Sequence, residues 1–208
     1  MLPRLYPVLD VGLCRERGLD PIAILDAFLE GGATLIQLRD KTPSTGARLA
    51  LADEVVARAH AAGARIVIND RADIAKLSGA DGVHVGQEDL AVSDVRMTVG
   101  PDAIVGLSTH DAAQIEAAGK TSASYLAVGP VYDTSTKQTG YAARGLDLIA
   151  LAAATGTPVV AIGGMTLERA PEAIAAGAAS VAVISDLLTD PDPAARVRSF
   201  LASLSGRV

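Results

Sequence analysis

The chain has few aromatic residues and a single cysteine. Aromatic side chains make up 3% of its 208 residues, whereas half of all residues are hydrophobic. The core must therefore be built from aliphatic and alanine side chains, a balance that fits helices packed closely on a parallel sheet. Because Cys14 has no second cysteine to pair with, an intrachain disulfide is excluded, which favours a reducing, cytoplasmic setting.

Long hydrophobic runs and an excess of positive charge are also missing. No apolar run approaches the ~20 residues needed to cross a bilayer, and we see no secretory signal at the N-terminus. The net charge of −6 argues against nucleic acid or an anionic membrane as a partner. We therefore expect a cytoplasmic protein that acts on small-molecule substrates, and we leave open whether it forms a homo-oligomer.

Eight short apolar segments, bounded by polar residues, glycine or proline, alternate with helical patterns along the chain. These predicted strands are 5–9, 35–38, 66–68, 83–85, 104–107, 126–128, 158–162 and 181–184. The first is followed by a stretch that we interpret as a polar loop. Glycine-alanine steps that suit left-handed helix ends separate several helices from the next strand. These steps lie at 31–33, 62–64, 78–80 and 176–178.

Such a chain either closes into a barrel or stays an open, doubly wound sheet. The first strand is not followed by a dinucleotide-binding glycine fingerprint, which would have favoured the open sheet. We therefore predict an α/β fold in which residues 1–208 form a single (β/α)8 TIM-barrel domain.

Two of the predicted strands run into acidic residues. Asp70 follows the strand at 66–68, and Asp89 lies just beyond the strand at 83–85. Because neighbouring parallel strands end on the same side of a sheet, the two carboxylates should face one crevice. Paired carboxylates suit a hard divalent cation, which usually accompanies a phosphorylated substrate. The alternative is that Asp70 caps the next helix and Asp89 belongs to a turn.

If the barrel closes, the residues that follow each strand line one mouth, where chemistry is expected. That set is Gln37, Arg39, Lys41, Asn69, Asp70, Asp89, Ser108, His110, Thr134, Thr136, Lys137, Gly163, Gly164, Ile184 and Ser185. The chain has only four lysines, and Lys41 and Lys137 both belong to the set. They would give an otherwise acidic protein the local positive charge needed to hold a phosphate or diphosphate.

The residues that follow the last two predicted strands indicate a second anion-binding site. Gly163-Gly164 and Ser185 occupy the positions at which this fold usually binds phosphate. Glycines let backbone N–H groups approach an anion, and the N-terminus of a short helix would assist them. The alternative for Gly163-Gly164 is a plain tight turn.

The three histidines have different expected roles. His60 lies in a predicted helix and should be a surface or packing residue, and His84, inside a strand, should be a hydrogen-bonded core residue. His110 follows a strand and could exchange protons near neutral pH. The sequence has no zinc-like spacing and no Ser–His–Asp arrangement.

With these residues in view, the sequence resembles the thiamine-phosphate synthase family over nearly its whole length. The matching stretches are GGATLIQLRDK (31–41), INDRADIAKLSGADGVHVGQED (68–89), VGLSTH (105–110), YLAVGPVYDTSTK (125–137), PVVAIGGM (158–165) and VAVIS (181–185). The resemblance implies a barrel enzyme that joins a pyrimidine diphosphate to a thiazole phosphate and releases diphosphate, with Mg2+ as cofactor.

The resemblance also implies roles for the residues at the mouth. The pyrimidine diphosphate would be held by Gln37, Arg39, Lys41, Asn69 and Lys137. The magnesium ion would be held by Asp70 and Asp89. The thiazole phosphate would be received by Ser108, Thr134, Thr136, Gly164, Ile184 and Ser185. We count Arg39, Lys41, Ser108 and Lys137 as the catalytic set, because the three cations would neutralise the departing diphosphate. The segment 132–144 reads as a lid that carries Lys137 to the diphosphate.

Two alternatives remain at this stage. The related thiazole tautomerase family shares the barrel and would use a histidine placed like His110, but it has no need for Asp70, Asp89 and Lys137 together. A non-catalytic protein that binds thiazole phosphate would keep the glycine pair and gain nothing from the two aspartates.

Overall fold

The chain forms a closed barrel of eight parallel strands in sequence order. A computed structural model describes residues 2–134 and 141–205. The strands are β1 Leu5–Asp10, β2 Leu35–Arg39, β3 Arg65–Asn69, β4 Gly82–Val85, β5 Ile104–Thr109, β6 Tyr125–Val128, β7 Val159–Ala161 and β8 Ser180–Val183. The predicted (β/α)8 barrel is confirmed, and each of the eight predicted segments overlaps one of these strands.

Helices cover the outside of the barrel. They are α1 Val11–Glu16, α2 Pro21–Glu30, α3 Thr45–Ala61, α4 Ala72–Ser78, α5 Val92–Val99, α6 Ala112–Ala118, α7 Asp147–Ala153, α8 Ala170–Ala175 and α9 Pro193–Ser205, with a 3-10 helix at Ser185–Leu188. Among the described residues, no helix combines the length and the apolar character that a membrane span requires.

The strands are buried on both faces, which explains their continuous apolar runs. The larger core lies between the strands and the helices, where Phe28 and Phe200 are fully buried. A smaller core fills the barrel interior around Tyr6 and Tyr125. The barrel closes where β1 pairs with β8, with Tyr6 opposite Ala182.

The segment after β1 differs from the prediction, because it is the short helix α1 and not a polar loop. Asp10 caps it by accepting a hydrogen bond from the backbone N–H of Leu13 at 3.0 Å. Val11 and Cys14 lie one turn apart and are both buried, so one apolar face was present among the polar residues. Burial, together with the charge of Asp10, raises the pKa of the Cys14 thiol to about 11, which makes Cys14 a packing residue.

The glycine steps behave as predicted at all four positions. The glycine that precedes each returning strand has a positive φ, at Gly32, Gly63, Gly79 and Gly177. Each one therefore turns the chain from a helix back towards the barrel. These turns return the chain to the barrel before β2, β3, β4 and β8. Because all eight strands are parallel, their carboxyl ends open onto one mouth.

Candidate active site

A cavity enters the barrel at the carboxyl ends of the strands. Its floor is formed inside the barrel by Tyr6, Tyr125 and His84, and its walls include Gln37 and Ile184. Two shallower pockets adjoin it at the rim. One lies over the ends of β3 and β4, and the other over the ends of β7 and β8.

The first rim pocket brings together the two aspartates that follow β3 and β4. Asp70 and Asp89 both line it, as does Lys41. Asp70 has a φ of 64° and is the one described residue other than glycine with a positive φ. Its backbone N–H donates to the carbonyl of His84 at 2.7 Å. This left-handed conformation is uncommon for a residue with a side chain, so β4 holds Asp70 in a specific orientation.

Asp89 lies beside Asp70 in this pocket. Its Oδ2 accepts a hydrogen bond from the backbone N–H of Gly86 at 2.7 Å. Burial raises the pKa of the Asp89 carboxyl, the Gly86 N–H opposes that rise, and the neighbouring charge of Asp70 adds to it. Lys41 acts in the opposite sense. The two carboxylates are therefore close enough to repel each other, a repulsion that a bound cation would relieve.

Two cationic side chains lie at the mouth, Lys41 in this pocket and Arg39 in the deep cavity. Lys41 forms an ion pair with Asp70, and Arg39 forms one with Asp10 at the end of β1. The Arg39 Nε–H is buried and has no hydrogen-bond partner among the described residues. An unpaired guanidinium N–H in a cavity is a ready donor to an anionic ligand.

The second rim pocket gathers residues from the other side of the barrel. It is lined by Thr134, Gly164, Ile184 and Ser185, and Ser185 begins the 3-10 helix. Gly163 and Gly164 have φ values of 96° and 62°. A Cβ at Gly164 would lie 2.6 Å from the carbonyl oxygen of Asp133, so the turn packs too tightly for any larger residue.

Arg169 braces this glycine turn. Its Nη1 donates to the carbonyl of Gly164 at 2.8 Å, and its guanidinium lies 4.6 Å from the centre of the Tyr132 ring. The Tyr132 hydroxyl donates to Glu172 at 2.8 Å. These contacts fix the turn and the start of the β6–α7 loop against α8.

A buried chain of hydrogen bonds crosses the floor of the cavity. Gln37 Nε2 donates to the Tyr6 hydroxyl at 3.3 Å, and the hydroxyls of Tyr6 and Tyr125 are 3.1 Å apart. His84 links this pair to the rim, with Nδ1 3.0 Å from Tyr125 Oη and Nε2 2.8 Å from Ser108 Oγ. The prediction that His84 is a hydrogen-bonded core histidine is confirmed.

His110 stands above the floor at the end of β5. Its Nδ1 is 2.5 Å from the carbonyl oxygen of Gly129. Since a carbonyl can only accept, Nδ1 carries the proton. The His110 ring also stacks on Tyr141 at a centroid distance of 4.4 Å. Gln114 donates to the Tyr141 hydroxyl at 3.4 Å, so Tyr141 is anchored where the chain returns from the β6–α7 loop.

The residues of the acidic rim fit a divalent cation that arrives with its substrate. The structure offers two carboxylates there, and among the described residues no group of three or more His, Cys, Asp or Glu side chains is placed to hold a metal ion. Two carboxylates cannot fill six coordination positions. Mg2+ commonly completes its coordination with water and substrate phosphates, so this donor set matches Mg2+ with a diphosphate.

Most of the residues predicted for the site therefore lie around one mouth. Gln37, Arg39, Asn69, Ser108 and Thr134 line the deep cavity, and the remaining described ones line the two rim pockets. Thr136 and Lys137 lie outside the described residues, as does the central part of the predicted lid, residues 135–140.

Sequence reasoning missed Tyr6, Tyr125, Asp10 and Arg169. For the two tyrosines a signal was present. They supply two of the few aromatic residues, and each lies in a strand of a buried barrel, where a tyrosine hydroxyl needs a partner.

The barrel, the pockets at its mouth and the paired carboxylates are typical of enzymes of the (β/α)8 class that act on phosphorylated ligands. Residues 5–187 match the family model for thiamine monophosphate synthase, and the chain belongs to that family. The transferase of thiamine biosynthesis that the motifs predicted is thereby confirmed.

Individual relatives agree with this assignment. The chain is 44% identical over 196 residues to the thiamine-phosphate synthase of Koribacter versatilis, with 91% of each chain covered. It is 43% identical over 185 residues to the thiamine biosynthesis bifunctional protein ThiM/ThiE of Symbiobacterium thermophilum. That match covers 88% of this chain and 38% of the longer relative. The solved thiamine phosphate pyrophosphorylase of Pyrococcus furiosus superposes with a TM-score of 0.86 at 28% identity, covering 97% and 95% of the two chains.

Proposed function

We propose that the chain joins a hydroxymethylpyrimidine diphosphate to a thiazole phosphate at this mouth, using the residues predicted from its motifs. The bond between the pyrimidine methylene carbon and the diphosphate oxygen breaks, and the oxygen keeps the electron pair. The thiazole nitrogen then forms the new bond to that carbon. The single observation that carries the proposal is the presence of two separate rim pockets around one cavity, which supports one place for each phosphorylated group.

The diphosphate is assigned to the rim at β3 and β4. The unpaired Nε–H of Arg39 is available to donate to it. Lys41, whose side chain is 55% exposed in its pair with Asp70, is free to move to it, because exposed ion pairs hold weakly. When Mg2+ is bound, it would supply positive charge to the departing oxygens. Asp70 and Asp89 would hold that ion, and Lys137 would add a further cation.

The pyrimidine ring is assigned to the cavity. Gln37 and Asn69 are nearly buried there and offer amide groups that suit the donor and acceptor atoms of a pyrimidine edge. The largely apolar walls keep water from the reacting carbon, which favours attack by the thiazole nitrogen over hydrolysis.

The thiazole phosphate is assigned to the rim at β7 and β8. Backbone N–H groups at Gly164, Ile184 and Ser185 suit a phosphate that approaches closely. Thr134 lines this rim and faces the same substrate with its hydroxyl group, and Thr136 completes the set. Ser108, which the resemblance also gave to this substrate, lines the cavity and the rim at β3 and β4, so we assign its hydroxyl group to the pyrimidine diphosphate. Holding the two rings in line supplies much of the rate advantage.

A turnover assay tests the proposal. Purified protein is given both substrates with and without Mg2+, and diphosphate release is followed together with formation of the joined product. Mg2+-dependent release that requires both substrates supports the proposal. Proton exchange on the thiazole phosphate alone would identify a tautomerase, with His110 as the first residue to replace. Binding of thiazole phosphate without turnover would identify a non-catalytic binding protein.

A further inference from the structure

The interior of the barrel carries hydrogen-bonding groups where such barrels usually pack aliphatic side chains. Tyr6 and Tyr125 are almost completely inaccessible to solvent, and His84 is 7% exposed. The Tyr125 ring stacks on the imidazole of His84 with an interplanar angle of 15° and meets the Tyr6 ring edge-on. Packing alone would be satisfied by phenylalanine at both positions, so the two hydroxyls need another explanation.

The number of protons on these buried groups determines which group donates and which accepts in each hydrogen bond. Three hydrogen bonds join four groups in the order Gln37, Tyr6, Tyr125 and His84. Burial raises the pKa of Tyr6 to about 12 and that of Tyr125 well above its ordinary value, so each hydroxyl keeps its one proton. The Gln37 amide nitrogen donates the first bond. The Tyr6 hydroxyl has no further hydrogen-bond partner among the described residues, so its proton serves the second bond and the Tyr125 proton serves the third.

This direction determines which nitrogen of His84 carries a proton. Nδ1 accepts from Tyr125, so a neutral ring carries its proton on Nε2. That Nε2–H points at Ser108 Oγ, 2.8 Å away. Ser108 is therefore the acceptor in this bond, and its own hydroxyl proton is left for another partner. No such partner is found for it among the described residues, and Ser108 lines the cavity.

We propose that Tyr6 and Tyr125 are positioning residues that lock His84 as its Nε2–H tautomer and thereby make Ser108 an obligate hydrogen-bond donor to the ligand. A group in this position selects for acceptor atoms such as phosphate oxygens. The inference rests on the proposed function only for the identity of that ligand, the pyrimidine diphosphate, since Ser108 lines the rim pocket of Asp70 and Asp89. The tautomer itself is a property of the protein and can be measured without turnover.

The first measurement is made on the unaltered protein labelled with 15N-histidine. Two-bond 15N–1H correlation spectra distinguish the two neutral tautomers from the charged ring. The three histidines are assigned with the variants His60→Gln and His110→Gln. We expect His84 to be neutral, with its proton on Nε2. An Nδ1–H tautomer, or a charged ring at neutral pH, would make His84 the donor to Tyr125. Either result would overturn the proposal.

The second measurement uses Tyr125→Phe, which keeps the ring stacked on His84 and removes only the hydroxyl. We expect both His84 tautomers to become populated and KM for the pyrimidine diphosphate to rise about ten-fold, as the loss of one hydrogen bond to a charged group predicts. The change in kcat should be smaller. Tyr132→Phe, which removes the hydroxyl of a tyrosine that is not hydrogen-bonded to this buried network, should leave the His84 spectrum unchanged.

The outcomes separate the two proposals. An unchanged KM in Tyr125→Phe, despite mixed tautomers, would overturn the positioning role. A wild-type protein that shows the Nε2–H tautomer but no turnover would refute the proposed function and leave the tautomer assignment intact.

Discussion

Asp70 and Asp89 end neighbouring strand units and face each other closely enough for the charge of one to raise the pKa of the other. The residue numbers are 19 apart, but the parallel barrel brings both carboxylates to the rim that β3 and β4 share. Such a pair is unfavourable in isolation and favourable around a cation. Several testable consequences of this arrangement concern charge.

Replacing Asp70 should reduce turnover by at least ~100-fold, the size expected when a group that stabilises departing charge is lost. Asp70→Asn is the appropriate variant, because asparagine tolerates the left-handed backbone found at this position, whereas alanine would add strain. The measurement is kcat together with the midpoint of a Mg2+ titration. Asp94→Asn, on the outer helix α5, serves as the control, and equal kcat values for the two variants would contradict the assigned role.

Asp89 should influence stability in a pH-dependent manner. Because the folded-state pKa of Asp89 is raised, its ionised form costs stability above that pKa, and this cost is absent well below the ordinary aspartate value of 3.8. Asp89→Asn, which still accepts from Gly86, should therefore raise the free energy of unfolding at pH 7 in a metal chelator. The gain should shrink as the pH falls towards 3.8. Urea denaturation at several pH values provides the measurement, and a gain that grows on acidification would refute the sign.

Lysine replacements test where the cations act. Lys137→Ala should lower turnover at least ~100-fold if Lys137 neutralises the leaving diphosphate. Lys120→Ala is matched in chemistry, since Lys120 forms an exposed ion pair with Glu116 one helical turn away on α6, and it should leave turnover unchanged. Diphosphate release at saturating substrate is the measurement. A Lys137 variant with the turnover of the Lys120 variant would remove Lys137 from the catalytic set.

The glycine turn can be tested with a pair of alanine variants that share the same backbone strain. Gly164→Ala and Gly156→Ala both place a side chain at positive φ, at 62° and 80°, but only the first meets a neighbouring backbone. Both should lose about 1 kcal/mol or more of unfolding free energy. Only Gly164→Ala should also raise KM for thiazole phosphate. Equal KM values for the two variants would move the phosphate away from this turn.

The barrel could be predicted from sequence because its signals are local. Apolar runs of strand length, glycines at helix ends and polar residues after the strands all lie within a few residues of what they specify. The helix α1 was missed because it is only six residues long and because charged residues directly follow the second of its two buried residues, Val11 and Cys14. The proximity of Asp70 and Asp89 could also be predicted, because neighbouring parallel strands end on the same side of a sheet.

Other parts of the site depend on contacts that no local pattern reveals. Tyr6 and Tyr125 are 119 residues apart in the sequence, and their hydroxyls meet only because the barrel closes. The left-handed backbone of Asp70 is imposed by its hydrogen bond to the neighbouring strand. The roles of Thr136 and Lys137 remain predictions from their motif.

The order of the strands has a consequence for how two multiply charged reactants can share one small enzyme. The carboxylate pair belongs to the third and fourth strands and the glycine turn to the seventh and eighth, four places further around a ring of eight. In the arrangement that we propose, each anionic group would bind at its own edge of the barrel, about as far from the other as the ring of strands permits. The uncharged ends of both molecules are left to meet over the central axis.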